Sequence, residues 1–501
     1  MPNLNDAYEL APAPTVAERV AAGELTPGED YDTYPAPGFY DDVADRVLAD
    51  LFTNGQGSPT IRFWRNEWFH YTGTHWATVH EDEVKRPVRA RLRQVTYLKQ
   101  TTEGETHAPW QPTLAKVREV LEPLKLTVLT PTATEAPTWT GKGRPPAARL
   151  IAMANGLFDP ATRALHPHTP EWFNLWSLPF NYDPKATAPR WQQFLEEVFA
   201  HDPQGADTLQ EWAGYLISGR LDLQKMLVII GVPGAGKSVI DHVLTALMGG
   251  AANVAAPSMS KFGEEFQLDQ LRGKPLAIFG DAAGEAKSNR EAVERIKTIT
   301  GQGAISVNVK GKPFWTGVLP TRFTIISNQT PKFLDASSAV RRRTLAVELT
   351  QSFQHAPDKD LPEKLEKELP GIFLWALAGL DRLNANGGKF TVPATQEEVL
   401  EDMEDIGSPL RSFFKENCVI TGNSEDIIAL PDIYRDYVQW CGVNGLERAR
   451  LSQNKFRTEV KAMGIAGVKA GQVYATGQKV VRGVQPRPGL FGATEFTPKS
   501  A

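Results

Sequence analysis

The stretch "LVIIGVPGAGKSVI" at residues 227–240 constrains this chain more than any other. An apolar run, Leu227–Ile230, enters Gly231-Val232-Pro233-Gly234-Ala235-Gly236-Lys237-Ser238, and a second apolar pattern follows at once. The run reads as a buried strand, and "KSVIDHVLTALMG" reads as a helix stopped by Gly249-Gly250. Such a turn leaves the first N–H groups of the helix without partners, and the helix dipole favours an anion beside them. The string fits G-x-x-x-x-G-K-[ST], whose backbone wraps phosphates while the lysine faces the β/γ-phosphates and the hydroxyl faces Mg²⁺. The expectation is a nucleoside triphosphate site built from Gly231 to Ser238, with Lys237 as point charge and Ser238 as metal ligand.

At 501 residues the chain is too long for one core and implies several domains. Its 41% hydrophobic and 23% charged residues are ordinary for a globular protein. No apolar run approaches the ~20 residues that cross a bilayer, so no membrane partner is expected. Cys418 and Cys441 are the only cysteines, too few for a Cys-based zinc site or a disulfide scaffold, which points to a cytoplasmic setting. The net charge of −5 hides an asymmetry. Residues 1–60 carry 11 Asp/Glu against 2 Arg, whereas residues 431–501 carry 11 Lys/Arg against 5 Asp/Glu. A basic end on an acidic protein is either a solvated surface or a footprint for nucleic acid.

Residues 1–38, rich in Pro, Ala and acid, read as a disordered segment. An N-terminal α+β domain is expected over 39–130. It has helical spacing in "YDDVADRVLADLF", an aromatic hairpin "IRFWRNEWFHYTGTHWATV" turning at Thr72-Gly73, and a helical pattern on to about residue 125. His70, His75 and His80 lie five apart, but alternating strands would scatter them, so no metal site is expected there. Residues 131–146 read as a linker, 147–220 as a small domain, 221–352 as the ATPase core, 353–407 as a helical segment, and 408–501 as a basic last domain.

Phosphoryl transfer also needs an acid for the metal, and "GKPLAIFGDAAGE" ends the apolar run Leu276–Phe279 at Asp281, with Glu285 a solvated residue further on. The next buried run, "TRFTIISNQTP", ends at Asn328, whose carboxamide could hold an attacking water. Then "DASSAVRRRTLAVEL" sets Arg341, Arg342 and Arg343 before one more strand. An arginine offered to a neighbouring subunit adds roughly 10³–10⁵ in rate, so a finger here demands an oligomer. Between these, "AISVNVKGK" carries Lys310 and Lys312 near a turn followed by Phe314-Trp315, a combination suited to the backbone and bases of a single strand.

In this order the residues resemble superfamily 3 helicases, in particular the helicase portion of phage and plasmid primase-helicases and their poxvirus relatives. The resemblance covers roughly residues 150–465 and includes "NGLFDPATRALHPHTPEWF", "KTITG", "LPGIFLWALAGLDRLNANGGKFTVP" and "LPDIYRDYVQWC…LSQNKFRTEVKAMG". It implies a multidomain α/β protein with a P-loop AAA+-like core, a helical collar before it and a C-terminal winged helix. It further implies a hexameric ring in a bacterial host that uses ATP and Mg²⁺ and moves on single-stranded DNA. Lys237, Asp281 and Asn328 become catalytic residues, with Ser238 and Asp281 on the metal and Arg342 or Arg343 as the finger. Lys310 and Lys312 line the pore; Arg450, Lys455 and Arg457, with Arg448 and Lys461 nearby, face duplex DNA around the "LSQNKFRTEV" helix. A separate primase or polymerase is a further expected partner; residues 1–130 offer no convincing Cys/His zinc cluster or D-x-D strand, so priming by this chain is not expected. Asp281 is followed by Ala282-Ala283 where many relatives carry a second acid, which leaves the general base unassigned. The alternative functions are an initiator or loader that remodels DNA without processive unwinding, and a DNA-binding scaffold with a degenerate ATPase.

Overall fold

The structure is a computed structural model describing residues 16–22, 32–141, 145–280, 289–310, 314–331, 333, 338–354, 358–447, 450–463, 465–474 and 476–487. After the short helix α1 (Val16–Ala21), the first unit packs α2 (Tyr40–Leu51), α3 (Glu81–Leu92) and α4 (Leu114–Thr127) around one core. Val43 and Val47 of α2 face Val84 and Val88 of α3 and Val117, Val120 and Leu124 of α4, each set at helical spacing. The expected hairpin is a three-stranded antiparallel meander, β1 (Ile61–Trp64), β2 (Glu67–Tyr71) and β3 (Trp76–Val79). It turns first at Arg65-Asn66, both at positive φ, and again around Gly73. Ile61 and Trp68 face the helices, while Trp64, Phe69, Tyr71 and Trp76 face Phe173.

Two sequence expectations fail in this unit. The helical reading to residue 125 is interrupted by a hairpin, β4 (Thr96–Thr101) and β5 (Gly104–Pro109), which turns at Gly104 with φ 119°. Its threonines favour extended backbone, and only a glycine takes that φ without strain. Residues 32–38 are also part of the fold: Tyr34 is buried, Asp32 pairs with Arg91, and Thr33 bridges Thr96.

The stretch expected as a linker contributes β6 (Thr138–Trp139). It is followed by the meander β7 (Ile151–Met153), β8 (Gly156–Asp159) and β9 (Ala164–His166), and then by β10 (Trp172–Phe173), which pairs with β6. Two helices follow, α5 (Pro189–Val198) and α6 (Pro203–Ile217), each entered through a proline in its first turn.

The central sheet begins with β11 (Met226–Gly231), which leads through the glycine loop into α7 (Lys237–Leu247). Its other strands are β12 (Val254–Ala255) and β13 (Leu276–Gly280). After α8 (Asn289–Thr300), the chain forms an antiparallel hairpin of β14 (Ile305–Val307) and β15 (Trp315–Gly317). It then rejoins the sheet as β16 (Arg322–Ser327) and, after α9 (Ser338–Arg343), as β17 (Thr344–Leu349). The order is β12-β13-β16-β11-β17, all parallel. A parallel sheet is buried on both faces, and alternation shows it here. Leu227 and Ile229 join a core with α5, α6 and α7, to which α10 (Leu361–Lys367) and α11 (Leu369–Ala385) also contribute. Met226, Val228 and Ile230 join the opposite core with α8 and α12 (Gln396–Gly407). The boundary drawn at residue 220 therefore crosses one continuous core.

The last unit has its own core around Phe413, Tyr437 and Phe456. Its elements are α13 (Pro409–Asn417), β18 (Cys418–Ile420), β19 (Ile427–Ala429), α14 (Leu430–Val443), α15 (Gln453–Ala462), β20 (Lys469–Gln472), β21 (Lys479–Arg482) and β22 (Val484–Pro486). The antiparallel order β19-β21-β20 makes a small sheet beside three helices. No helix among the described residues is long and apolar enough to cross a membrane.

Candidate nucleotide site and nucleic-acid surfaces

Gly234 and Gly236 lie at φ 74° and 89°, a region that favours glycine. Neither has room for a side chain. A Cβ on Gly236 would stand 2.9 Å from Phe194 Cζ, and one on Gly234 would collide with Gln354. The loop is held from outside by the segment after β17: Ser352 Oγ donates to Pro233 O at 2.8 Å, and Phe353 N donates to Gly234 O at 2.9 Å. No described residue accepts a hydrogen bond from the amides of Gly236, Lys237 or Ser238. Lys237 Nζ donates to Gly231 O and Val232 O at 2.6 and 2.8 Å, and no described carboxylate pairs with it. Partial burial lowers its pKa, so an anion at the loop would relieve a desolvated cation. Ser238 is exposed at the start of α7. Amides and a cation that find no anionic partner among the described residues, with a hydroxyl at a helix N-terminus, fit a polyphosphate with its metal.

Strand register decides what stands beside this loop. Ile230 is level with Ser327, and Gly280 is level with Ile326. Asn328, exposed just past β16, therefore sits at the loop end of the sheet, as does the strand end that precedes Asp281. Asp281, Glu285 and Lys312 lie outside the described residues, as does Arg448.

The arginines lie at the other end. Thr344 is level with Met226 and Leu349 with Gly231, so Arg343 is separated from the loop by the length of β17. At about 3.3 Å per residue this is roughly 17 Å, beyond the reach of an arginine side chain. The three also differ from one another. Arg341 is tied to Glu397 and Glu404 on α12, and Glu404 also holds Arg411 of α13. Arg343 Nη1 donates to Ala339 O, and its pKa is lowered by burial and then by Arg342. Arg342 is exposed, and no described carboxylate pairs with it.

Lys310 is exposed just after β14, and Phe314 is 69% exposed on the other side of the turn. On α15, Phe456 and Val460 are buried one turn apart, which leaves Lys455 and Lys461 exposed and Arg457 half-buried; Arg450 is exposed ahead of the helix. The three histidines lie on different elements, His70 on β2, His75 after it and His80 before α3. His80 caps α3, His75 Nδ1 faces Thr72, Thr74 and Ser177, and no metal-binding cluster occurs among the described residues.

The sequence reading missed the strap at Ser352–Gln354 and the ring of Phe194 beneath Gly236. Neither has a motif; each reaches the loop only through the fold. It also missed Arg65, whose guanidinium carbon lies 5.3 Å from the ring of Trp315 on the hairpin.

Two family models match parts of the chain. Residues 61–200 match the family model described as D5 N terminal like, and residues 229–343 match a family of unknown function, DUF5906. Among solved structures, the chain is similar to the apo C-terminal region of NrS-1, at 12% identity and a TM-score of 0.48, covering 85% of this chain and 96% of that one. A second form of that region gives 13% identity and a TM-score of 0.45, covering 84% and 95%.

Proposed function

We propose that this protein is an ATP-dependent DNA helicase of phage or plasmid replication, of the superfamily 3 type. It acts as a homo-oligomeric ring, most simply a hexamer, around single-stranded DNA. One observation carries the reading: register sets the glycine loop and Asn328 at one end of the parallel sheet and the Arg341–Arg343 run at the other. If one of these arginines serves the site, it has to come from a neighbouring chain. The D5 N terminal like match over residues 61–200 fits the same replication setting.

In this reading the sheet order is that of a P-loop AAA+-like core, and the last unit is a winged helix with α15 as its duplex-facing helix. The amides of Gly236 to Ser238 and the Lys237 ammonium hold the phosphates, and the Ser238 hydroxyl and Asp281 hold Mg²⁺. ATP bound there supplies the transferable phosphoryl group. Asn328 orients water from the neighbouring strand tip, and Arg342 is the finger because it is exposed and has no described counter-ion. Lys310 and Lys312 grip the strand.

Lys237→Ala tests the assignment. It removes a cation but no buried packing, so the far-ultraviolet circular dichroism should be unchanged while ATP hydrolysis and forked-DNA unwinding disappear. Turnover at the wild-type rate in that variant would overturn the nucleotide site. ATP hydrolysis by the unaltered protein with no unwinding would favour a loader.

A further inference from the structure

A cavity of about 590 Å³ lies where the β1–β3 meander meets the central domain and the β14–β15 hairpin. That volume is within the roughly 300–1,000 Å³ of small-ligand sites. One wall is aromatic. Arg65 sits between two indoles, its guanidinium carbon 4.3 Å from the Trp64 ring and 5.3 Å from the Trp315 ring, and joins them into one surface. The guanidinium is fixed by Thr132 O at 3.1 Å and by Glu135, and the side chain is only 11% exposed. Phe69 and Trp76 are buried behind this wall and back it from within the N-terminal unit.

The charges lining this space balance one another. Arg65 pairs with Glu135, and Arg272 pairs with Asp269 at 2.6 Å and Glu67 at 3.0 Å. Lys274 Nζ is taken up by the carbonyls of Ala251 and Ala252. No excess of cation awaits a phosphate, so a free triphosphate is a poor occupant. Flat, uncharged heteroaromatic rings suit aromatic walls rimmed by such donors and acceptors. The hairpin that supplies Trp315 also carries exposed Lys310 and Phe314, so a strand held at its turn would present bases near this cavity.

We infer that the cavity is a nucleobase site, filled by an unpaired base of the strand that the hairpin holds, stacked on the half-buried Trp315 beside the Arg65 guanidinium. The inference rests on the single-strand reading above, and it makes the N-terminal unit part of the DNA grip.

The test uses the full chain, a thymidine oligonucleotide bearing one 2-aminopurine, and, separately, free 2-aminopurine nucleoside. Binding should quench the oligonucleotide's fluorescence. Trp315→Ala should weaken strand binding about ten-fold and remove the quench, as loss of one stacked base predicts. Trp315→Phe, which keeps a ring, should restore most of both. Photo-crosslinking of a 5-iodouracil oligonucleotide to the unaltered protein, mapped by mass spectrometry, should label the peptides of Trp64, Trp76 or Trp315. Quenching of the nucleoside but not the oligonucleotide would keep the base site and assign it to a free ligand. Failure to bind single strands would overturn the function proposed above. Tight strand binding with an unchanged quench in Trp315→Ala and crosslinks confined to other surfaces would overturn the base site alone.

Discussion

Gly236 combines two constraints that are usually separate, a left-handed φ of 89° and no space, with Phe194 Cζ 2.9 Å from where a Cβ would stand. Gly236→Ala should therefore cost about 1–3 kcal/mol in urea unfolding, from the strained backbone and the displaced ring. It should also weaken nucleotide binding, because the loop amides would turn away; an unchanged unfolding midpoint would refute the steric argument. Cys418 shows a different single-residue effect. Burial, followed by the nearby Asp436 charge, pushes its thiol pKa up to about 12. The unfolded thiol ionises first, so this group weakens the fold as pH rises above its ordinary value near 9 and adds no further loss above about 12. Iodoacetamide at pH 8.5 should leave Cys418 unmodified in the native protein and alkylate it in urea. Native-state alkylation would contradict the burial.

Helices α6 and α11 share a core of large apolar side chains, and glycines let their backbones approach closely beside it. A Cβ on Gly214 would lie 2.5 Å from both Ala376 O and Leu380 N, and one on Gly379 would strike Gln210 O. Alanine at an exposed helix position stabilises by about 1 kcal/mol. Gly214→Ala should do the reverse and cost about 2 kcal/mol or more, because the two backbones must separate. Beside this crossing, Glu211 is fully buried and satisfied by Arg382 Nε at 2.7 Å, Thr391 N at 2.7 Å and Thr391 Oγ1 at 2.8 Å. Glu211→Ala should cost about 2 kcal/mol, since it leaves the Thr391 N–H and hydroxyl without their acceptor, while Arg382 keeps Asp207 and Gln210. Thermal unfolding of both variants checks the pair.

In the whole molecule, the separation of Arg342 from its own loop turns a rate question into an assembly question. Arg342→Ala and Lys237→Ala should each be inactive in ATP hydrolysis, yet a mixture should recover part of the activity, because each can complete a site with the other. No recovery in confirmed mixed oligomers would argue against a finger from the neighbour. The ion-pair chain from Arg341 through Glu404 to Arg411 links the central domain to the last unit, so Arg341→Ala should loosen that junction and not mimic Arg342→Ala. Removing residues 408–501 should weaken duplex binding and flatten its salt dependence, with each lost phosphate contact worth about 0.9 in the log–log slope.

The glycine loop, the strands β13 and β16 and the helix α15 were legible from sequence, because each depends on local spacing: an apolar run, a turn that needs glycine, a helical repeat. The hairpin at residues 96–109 was not, since its short polar strands lack alternation and Gly104 alone marks the turn. Residues 131–146 looked like a linker because proline and threonine say nothing about a two-residue strand that finds its partner at Trp172. Which arginine has no partner among the described carboxylates, and that all three are a strand's length from the loop, depends on the register of β17 against β11 and on acids some sixty residues away on α12. Likewise the cavity at Trp315 exists only because two turns distant in sequence, Arg65-Asn66 and the β14–β15 hairpin, meet in space. Sequence spacing specifies what each segment presents; only the close packing of the assembled chain decides what that surface meets.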